Sequence, residues 1–175
     1  MKVICFFILL GIVSISFADE VALVKKAKGE SHILRQTKKI TIQVGTKLQE
    51  KDVIITEAKS SVGLIFKDDT RISIGPNSKL EIEKYLFEPS KNQENFVTNL
   101  SQGSIQCITG LISKVNPKAF KIKVKTATIG IRGTNFIVNA EPEYEDTMCS
   151  DGIIATDIIV DIEEGEFLYE NTCSH

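Results

Sequence analysis

Few side chains in this 175-residue sequence have the types and the spacing that chemistry needs. Asp151, Asp157, Asp161, Glu163, Glu164 and Glu166 offer oxygen ligands of the kind calcium takes, yet they do not follow the D-x-[DN]-x-[DN]-G-x5-E loop pattern. Solvated strand faces account for them. Paired carboxylates also serve glycoside hydrolysis, which needs a carboxyl separation of ~5 to 9.5 Å that spacing along a chain does not fix. His32 has no GxSxG segment or Cys-His-Asn pattern to work with and reads as an ordinary strand residue. Neither GxGxxG nor GxxxxGK[ST] is present, so no nucleotide site is expected. The expectation is a protein with no catalytic residue, no cofactor and no metal, hence not an enzyme.

Cys107, Cys149 and Cys173 are the cysteines beyond residue 18, and an odd number leaves at least one free thiol or an intermolecular bridge. Cys107 lies in SIQCITGLI, where Ile105, Cys107, Thr109 and Leu111 alternate, and it reads as a small buried hydrophobe. Cys149 and Cys173 bracket the last hairpin-like segment. Joined, they would close a loop of about 25 residues, which the loop-entropy treatment values at roughly 3 kcal/mol. Without neighbouring histidines they do not read as a zinc site.

In FKIKVKT (120–126) Phe120, Ile122 and Val124 share one strand face and Lys121, Lys123 and Lys125 share the other. The plain reading is an edge or solvent face whose lysines discourage strand-to-strand aggregation. The sharper reading is a basic ladder that meets anionic envelope material or the acidic end of the chain itself.

A β-rich chain must position these groups. Beyond residue 18, Val, Ile and Thr total 44 while Ala and Leu total 16, a balance that suits pleated surfaces. Ile40, Ile42 and Val44 alternate with polar residues, as do Val62, Leu64 and Phe66 with Gly63 and Ile65; Ile72 and Ile74 follow a turn at Asp68-Asp69. Gly75-Pro76-Asn77-Ser78 punctuates before Leu80 and Ile82. Further strands are predicted at 96–100, 104–109, 119–126, 129–131, 135–139, 153–162 and 166–169, with a polar loop at 88–95 and a hairpin turn at Glu163-Glu164-Gly165. No segment shows helical periodicity over a dozen residues, so the expected fold is all-β: a single domain of short strands, as a solenoid or roll or a sandwich.

The chain opens with Met1 and Lys2, an uncharged apolar run over 3–15, and Ser16-Phe17-Ala18, the layout of a signal peptide cleaved between Ala18 and Asp19. As a helix, residues 3–18 reach about 24 Å, short of the roughly 30 Å hydrocarbon core. The expected product spans 19–175, is periplasmic or secreted, and does not span a membrane. Charge is sorted along it. Residues 19–140 carry 20 Lys and Arg against 12 Asp and Glu, whereas 141–175 carry 11 acidic residues and no Lys or Arg. Nucleic acid is a poor partner for such a chain.

The string TATIGIRGTNFIV (126–138) is the most specific in the sequence, and it resembles the signature of the FecR domain. In order before it stand Gly45, Leu48, Asp52 and Thr56; then Asp68, Asp69 and Thr70; then Ile72, Ile74, Ser78, Leu80, Ile82 and Gly103. Ala127, Ile131, Arg132, Gly133, Thr134, Phe136 and Val138 complete the resemblance, which extends over about 45–168 with Gly165 in a late turn. Lys51 and Asp69 stand where the family carries glycine, and Ala127-Thr128 lacks the usual proline. Regulators of the family carry a cytosolic anti-sigma segment ahead of their membrane helix; here only Met1 and Lys2 precede the apolar run.

Gly130 and Gly133 beside Arg132 read as a sharp structural turn rather than as an anion cradle. The resemblance implies a non-enzymatic binding or scaffold domain of a cell envelope, with an envelope protein or polysaccharide as partner. A sensory subunit that works with a separate membrane regulator is the alternative, and an envelope carbohydrate hydrolase the second alternative.

Overall fold

The computed structural model describes residues 19–125, 127–140 and 158–171; for Ile131 to Thr134 and for 158–171 the description is of strand position alone. The leader through Ala18, and both Cys149 and Cys173, lie outside the described residues. The chain runs β1 (Glu20–Lys28), β2 (Ser31–Arg35), β3 (Lys38–Thr41), β4 (Lys47–Gln49), β5 (Val53–Thr56), β6 (Ser61–Phe66), β7 (Arg71–Ile74), β8 (Lys79–Glu88), β9 (Gln93–Ile108), α1 (Leu111–Val115), β10 (Phe120–Val124), β11 (Ala127–Ala140) and β12 (Ile158–Asn171). The fold is all-β, as the composition requires. Its sheet is almost wholly antiparallel and curls into a half-barrel.

The long strand β9 organises the sheet. Residues 93–102 pair with β8 and residues 105–108 pair with β7, both antiparallel, so β7 and β8 lie end to end along one side of β9. The same arrangement repeats outward: β6 pairs β7 and β1 pairs β6, while β5 pairs β8 and β2 pairs β5. Two lobes result. Lobe one is β4-β1-β6-β7 with the second half of β9; lobe two is β3-β2-β5-β8 with its first half.

A seam of small residues joins the lobes. Gly75 N donates to Ser104 O at 2.8 Å, Thr56 N to Ser78 O at 3.0 Å, and Glu57 N to Glu30 O at 3.0 Å, so each interrupted strand is tied to its neighbour where it crosses. Side chains reinforce the line. Thr56 Oγ1 donates to Gly75 O at 2.6 Å and accepts from Ser78 N at 3.0 Å, while Ser78 Oγ accepts from Ser104 N at 3.0 Å. At Gly103, with φ +87°, a Cβ would stand 2.6 Å from the Ser78 Cα, a contact that no larger residue tolerates.

The sheet doubles back at this seam. Phe66 lies five residues beyond the seam end of β6 and Tyr85 six beyond that of β8, on opposite lobes. In a flat sheet at about 3.3 Å per residue they would be separated by some 35 Å. Their ring centroids are 5.4 Å apart. Phe96 meets Phe66 edge-on at 4.8 Å and stacks on Phe120 at 4.4 Å, which fills the mouth opposite the seam with aromatic rings. The alternating residues Val62, Leu64, Phe66, Ile72, Ile74, Leu80 and Ile82 all turn into the space between the lobes. Each fully buried side chain of this size contributes roughly 1.5–3 kcal/mol.

Two segments cross the mouth. From β9 the chain passes through α1 to β10, which pairs parallel with β9 at Phe96 to Leu100. β11 pairs with β10 at Ala127 to Gly130 in lobe two, then with β9 at Asn135 to Ala140 in lobe one.

Several expectations are corrected. The loop at 88–95 is one 3-10 turn over Pro89–Lys91 between paired strands, and the strands at 96–100 and 104–109 are one strand bent at Gly103. Val44 is 66% exposed because β3 ends at Thr41. Leu111 leaves the inward alternation of Ile105, Cys107 and Thr109 because a helical turn begins there. Glu163-Glu164-Gly165 makes no hairpin; it lies within continuous β12, opposite a register shift at Gly133 to Asn135.

Candidate functional site

Among the described residues, the fully buried carboxylates Asp52 and Asp68 are engaged in bracing the fold. At the mouth, the fully buried Asp68 carboxylate accepts from four donors: Tyr85 Oη at 3.2 Å and Thr70 N at 3.3 Å on Oδ1, Thr70 Oγ1 at 2.7 Å and Ile112 N at 3.3 Å on Oδ2. Its backbone joins in, since Asp68 O accepts from Leu111 N at 2.8 Å and Asp68 N donates to Tyr85 Oη at 2.9 Å. Gly110 N donates to Thr70 Oγ1 at 3.0 Å, and a Cβ on Gly110 would lie 2.8 Å from the Asp69 carbonyl carbon. One carboxylate thus ties the β6–β7 turn of lobe one to β8 of lobe two and to the first turn of α1.

Burial, and then the Asp68 charge, push the Tyr85 hydroxyl far above the ordinary phenol range, so it stays a donor. Burial likewise raises the Cys107 thiol, with Asp68 adding to the effect. Such a thiol is no nucleophile. Cys107 is fully buried on β9, as its place in SIQCITGLI implies.

The second buried carboxylate, Asp52, is held in lobe two. Arg35 Nε and Nη2 donate to its two oxygens, each at 2.7 Å, and Gln49 N donates to Oδ2 at 2.8 Å. The Arg35 guanidinium is held even more firmly protonated by that pair. Among the described residues no group of three His, Cys, Asp or Glu side chains could hold a metal ion. No helix among them is long and apolar enough to cross a membrane.

The lysines of β10 do share the outer face, but β10 is not an edge, for it lies between β9 and β11. Lys123 Nζ pairs with Glu83 Oε2 at 2.6 Å, and Asn99 Nδ2 bridges to Glu83 Oε1 at 3.2 Å. The middle rung is therefore neutralised within the sheet. Lys121 is exposed and Lys125 has interactions of its own. Asp19, the residue after the expected cleavage point, is exposed and pairs with Lys67 at 2.8 Å, which lowers its carboxyl below the usual range.

In the 126–138 string, Ala127, Phe136 and Val138 are buried in the core, while Ile131, Arg132, Gly133 and Thr134 occupy the part of β11 that crosses the mouth. This segment runs as strand and makes no sharp turn. Arg132 stands in register with Glu166 of β12, and Gly133 with Gly165.

The fold is an all-β roll in which the buried carboxylates Asp52 and Asp68 brace the structure. A family model described as FecR protein matches residues 52–155, more than half of the chain, and the chain belongs to the FecR family. The match begins at Asp52, so Gly45, Leu48 and Gly165 of the sequence resemblance fall outside it. No curated protein and no solved structure matches the chain.

Sequence reasoning from residue types did not foresee the roles of Tyr85 and Arg35. Asp68-x-Thr70 carries a local signal, since a carboxylate readily bonds groups two residues on. Arg35 and Asp52 are 17 residues apart and carry none.

Proposed function

We propose that this chain is an exported, non-enzymatic binding or scaffold module of a cell envelope, periplasmic or secreted after removal of residues 1–18. One observation carries the reading: the two fully buried carboxylates among the described residues, Asp52 and Asp68, have their oxygens occupied by the protein's own donors, which leaves neither as a free base or nucleophile. Function then rests on surface. An envelope protein or polysaccharide is the partner, and among the described residues the exposed large apolar side chains it would meet are aliphatic.

The test is affinity capture from envelope extract with the chain beginning at Asp19, alongside a turnover assay on peptidoglycan fragments. A stoichiometric protein partner supports the reading. Turnover abolished by a single Asp or Glu substitution would overturn it in favour of a hydrolase. A single membrane regulator as the captured partner would select the sensory alternative, in which the acidic strand β12, at the margin of the sheet, is the docking element.

A further inference from the structure

The sheet ends in strands that have one paired side. Among the described residues β12 pairs with β11 alone and runs past both lobes; at the opposite margin β3 ends lobe two and β4 ends lobe one. The two margins differ in charge. β12 holds Asp161, Glu163, Glu164, Glu166 and Glu170 and no Lys or Arg, and Arg132 is the one cation that β11 sets in register with it. β3 and β4 hold Lys38, Lys39 and Lys47 and no acidic residue. Lys47 pairs with Glu20 at 2.8 Å, whereas Lys38 and Lys39 are exposed and enter no ion pair among the described residues.

The strand register links the margins row by row. Followed through directly opposed residues, Lys39 of β3 leads by way of β2, β5, β8, β9, β10 and β11 to Glu170 of β12. In lobe one Lys47 of β4 leads by way of β1, β6, β7, β9 and β11 to Glu164. Lys26, exposed on the part of β1 beyond its pairing with β4, leads through β6, β7, β9 and β11 to Asp161. Each row thus begins on a lysine and ends on a carboxylate. β3 and β4 also run in the direction of β12, because an even number of antiparallel steps separates them from it. A second copy displaced across the sheet, with the turn that its twist requires, therefore meets β12 in parallel pairing with all three lysines against all three carboxylates. Two-fold contacts do the reverse: β12 on β12 opposes carboxylates to carboxylates and β3 on β3 opposes lysines to lysines, which is destabilising. We propose that copies of this chain associate head to tail, the β3 and β4 margin of one adding to β12 of the next, with Lys39, Lys47 and Lys26 facing Glu170, Glu164 and Asp161. Such a heterologous contact leaves a free margin at each end and so continues past two copies. It concerns contacts between copies and goes beyond the binding-module reading, which capture of an envelope partner tests separately.

The experiment is analytical ultracentrifugation of the chain beginning at Asp19, whose residues include the whole described fold, with a thiol reductant to exclude intermolecular disulfides. At low salt the weight-average mass is expected to rise with protein concentration beyond that of a dimer, and at high salt to fall to that of the monomer. Lys39→Glu and Glu170→Lys are each expected to weaken association about tenfold, since each sets like charges opposite one another. Mixed in equal amounts, the two variants should associate as the parent does, because each then supplies the charge that the other lacks. Lys114→Glu, the same change of charge on the crossing between β9 and β10, should leave association unaltered. A monomer at every concentration would overturn the proposal, and so would a mass that levels off at a dimer, the mark of a two-fold contact. Failure of the mixture to recover would also overturn it, as would a Lys114→Glu effect equal to that of Lys39→Glu, which would assign the loss to net charge. If Lys39→Glu alters the melting profile, Lys39→Gln decides, with undiminished association again overturning it.

Discussion

Tyr85 Oη donates to Asp68 Oδ1 at 3.2 Å and accepts from Asp68 N at 2.9 Å, so one hydroxyl grips both the side chain and the backbone of the turn that faces it across the mouth. Tyr85→Phe is expected to cost about 1–3 kcal/mol at neutral pH, because it leaves a buried amide and a buried carboxylate oxygen short of a partner. Urea denaturation reads this directly.

The same residue sets an alkaline limit. Its folded-state pKa is raised above the 10.0 of a free phenol, so its contribution is complete below pH 10 and is lost as pH rises beyond it, where only the unfolded chain ionises freely. Stability against pH should therefore decline more steeply above pH 10 in the parent than in Tyr85→Phe. Equal slopes would show that the hydroxyl ionises in place.

Two ion pairs of similar length should differ in worth. Arg35→Leu strands the Asp52 carboxylate, whose side chain is 0% exposed, and should cost about 2–4 kcal/mol. Lys123→Gln removes a pair that is 43% and 21% exposed and should cost less than about 1 kcal/mol. Comparable losses in chemical denaturation would contradict the burial argument.

Backbone conformation gives a prediction of opposite sign at two kinds of position. Lys51 and Asp69 hold φ of 71° and 67°, in the left-handed region that favours glycine. Lys51→Gly and Asp69→Gly are each expected to raise stability by about 0.5–1 kcal/mol by relieving that conformation. Gly103→Ala combines positive φ with a clash against Ser78 and should lose about 2–4 kcal/mol. Thermal unfolding of the three variants is the measurement.

Cys107 should be silent to thiol reagents in the folded protein. In a Cys149→Ser/Cys173→Ser chain beginning at Asp19, thiol titration at pH 8 is expected to detect no fast-reacting group until denaturant is added, because burial raises the thiol and bars access to it. Prompt labelling without denaturant would mean that β9 opens locally.

The strand content was legible because alternation in Val62 to Phe66, Ile72 to Ile74 and Leu80 to Ile82 reports one buried face directly. The fate of Cys107 was legible for the same reason. Topology was not. Gly103 looks like a strand break, yet it is a bend within β9 that lets one strand serve both lobes, and period-two alternation carries no trace of which lobe a residue joins. The outward face of the β10 lysines is legible from alternation, but whether β10 is an edge is not, because strand order depends on partners remote in sequence. The family resemblance drew attention to Asp52, Asp68, Thr70 and Ser78 without giving their tasks. Those tasks come from partners such as Arg35, Tyr85 and Ile112, which no local pattern announces.

The doubled sheet also governs the order in which the chain can mature. Lobe one draws on β1 at one extreme and on the second half of β9 at the other, and the mouth is spanned only when β11 has arrived. No stretch emerging N-terminus first holds all the strands of lobe two until about residue 102 is free or of lobe one until about residue 108, and none closes the mouth until about Ala140 follows. A topology with so many distant pairings folds late and slowly. The N-terminal strands β1 to β3 have their sheet partners once Phe66 is free, whereas β7 and β8 must wait for β9 and the open mouth for β11, so it is the joining of the lobes that comes late.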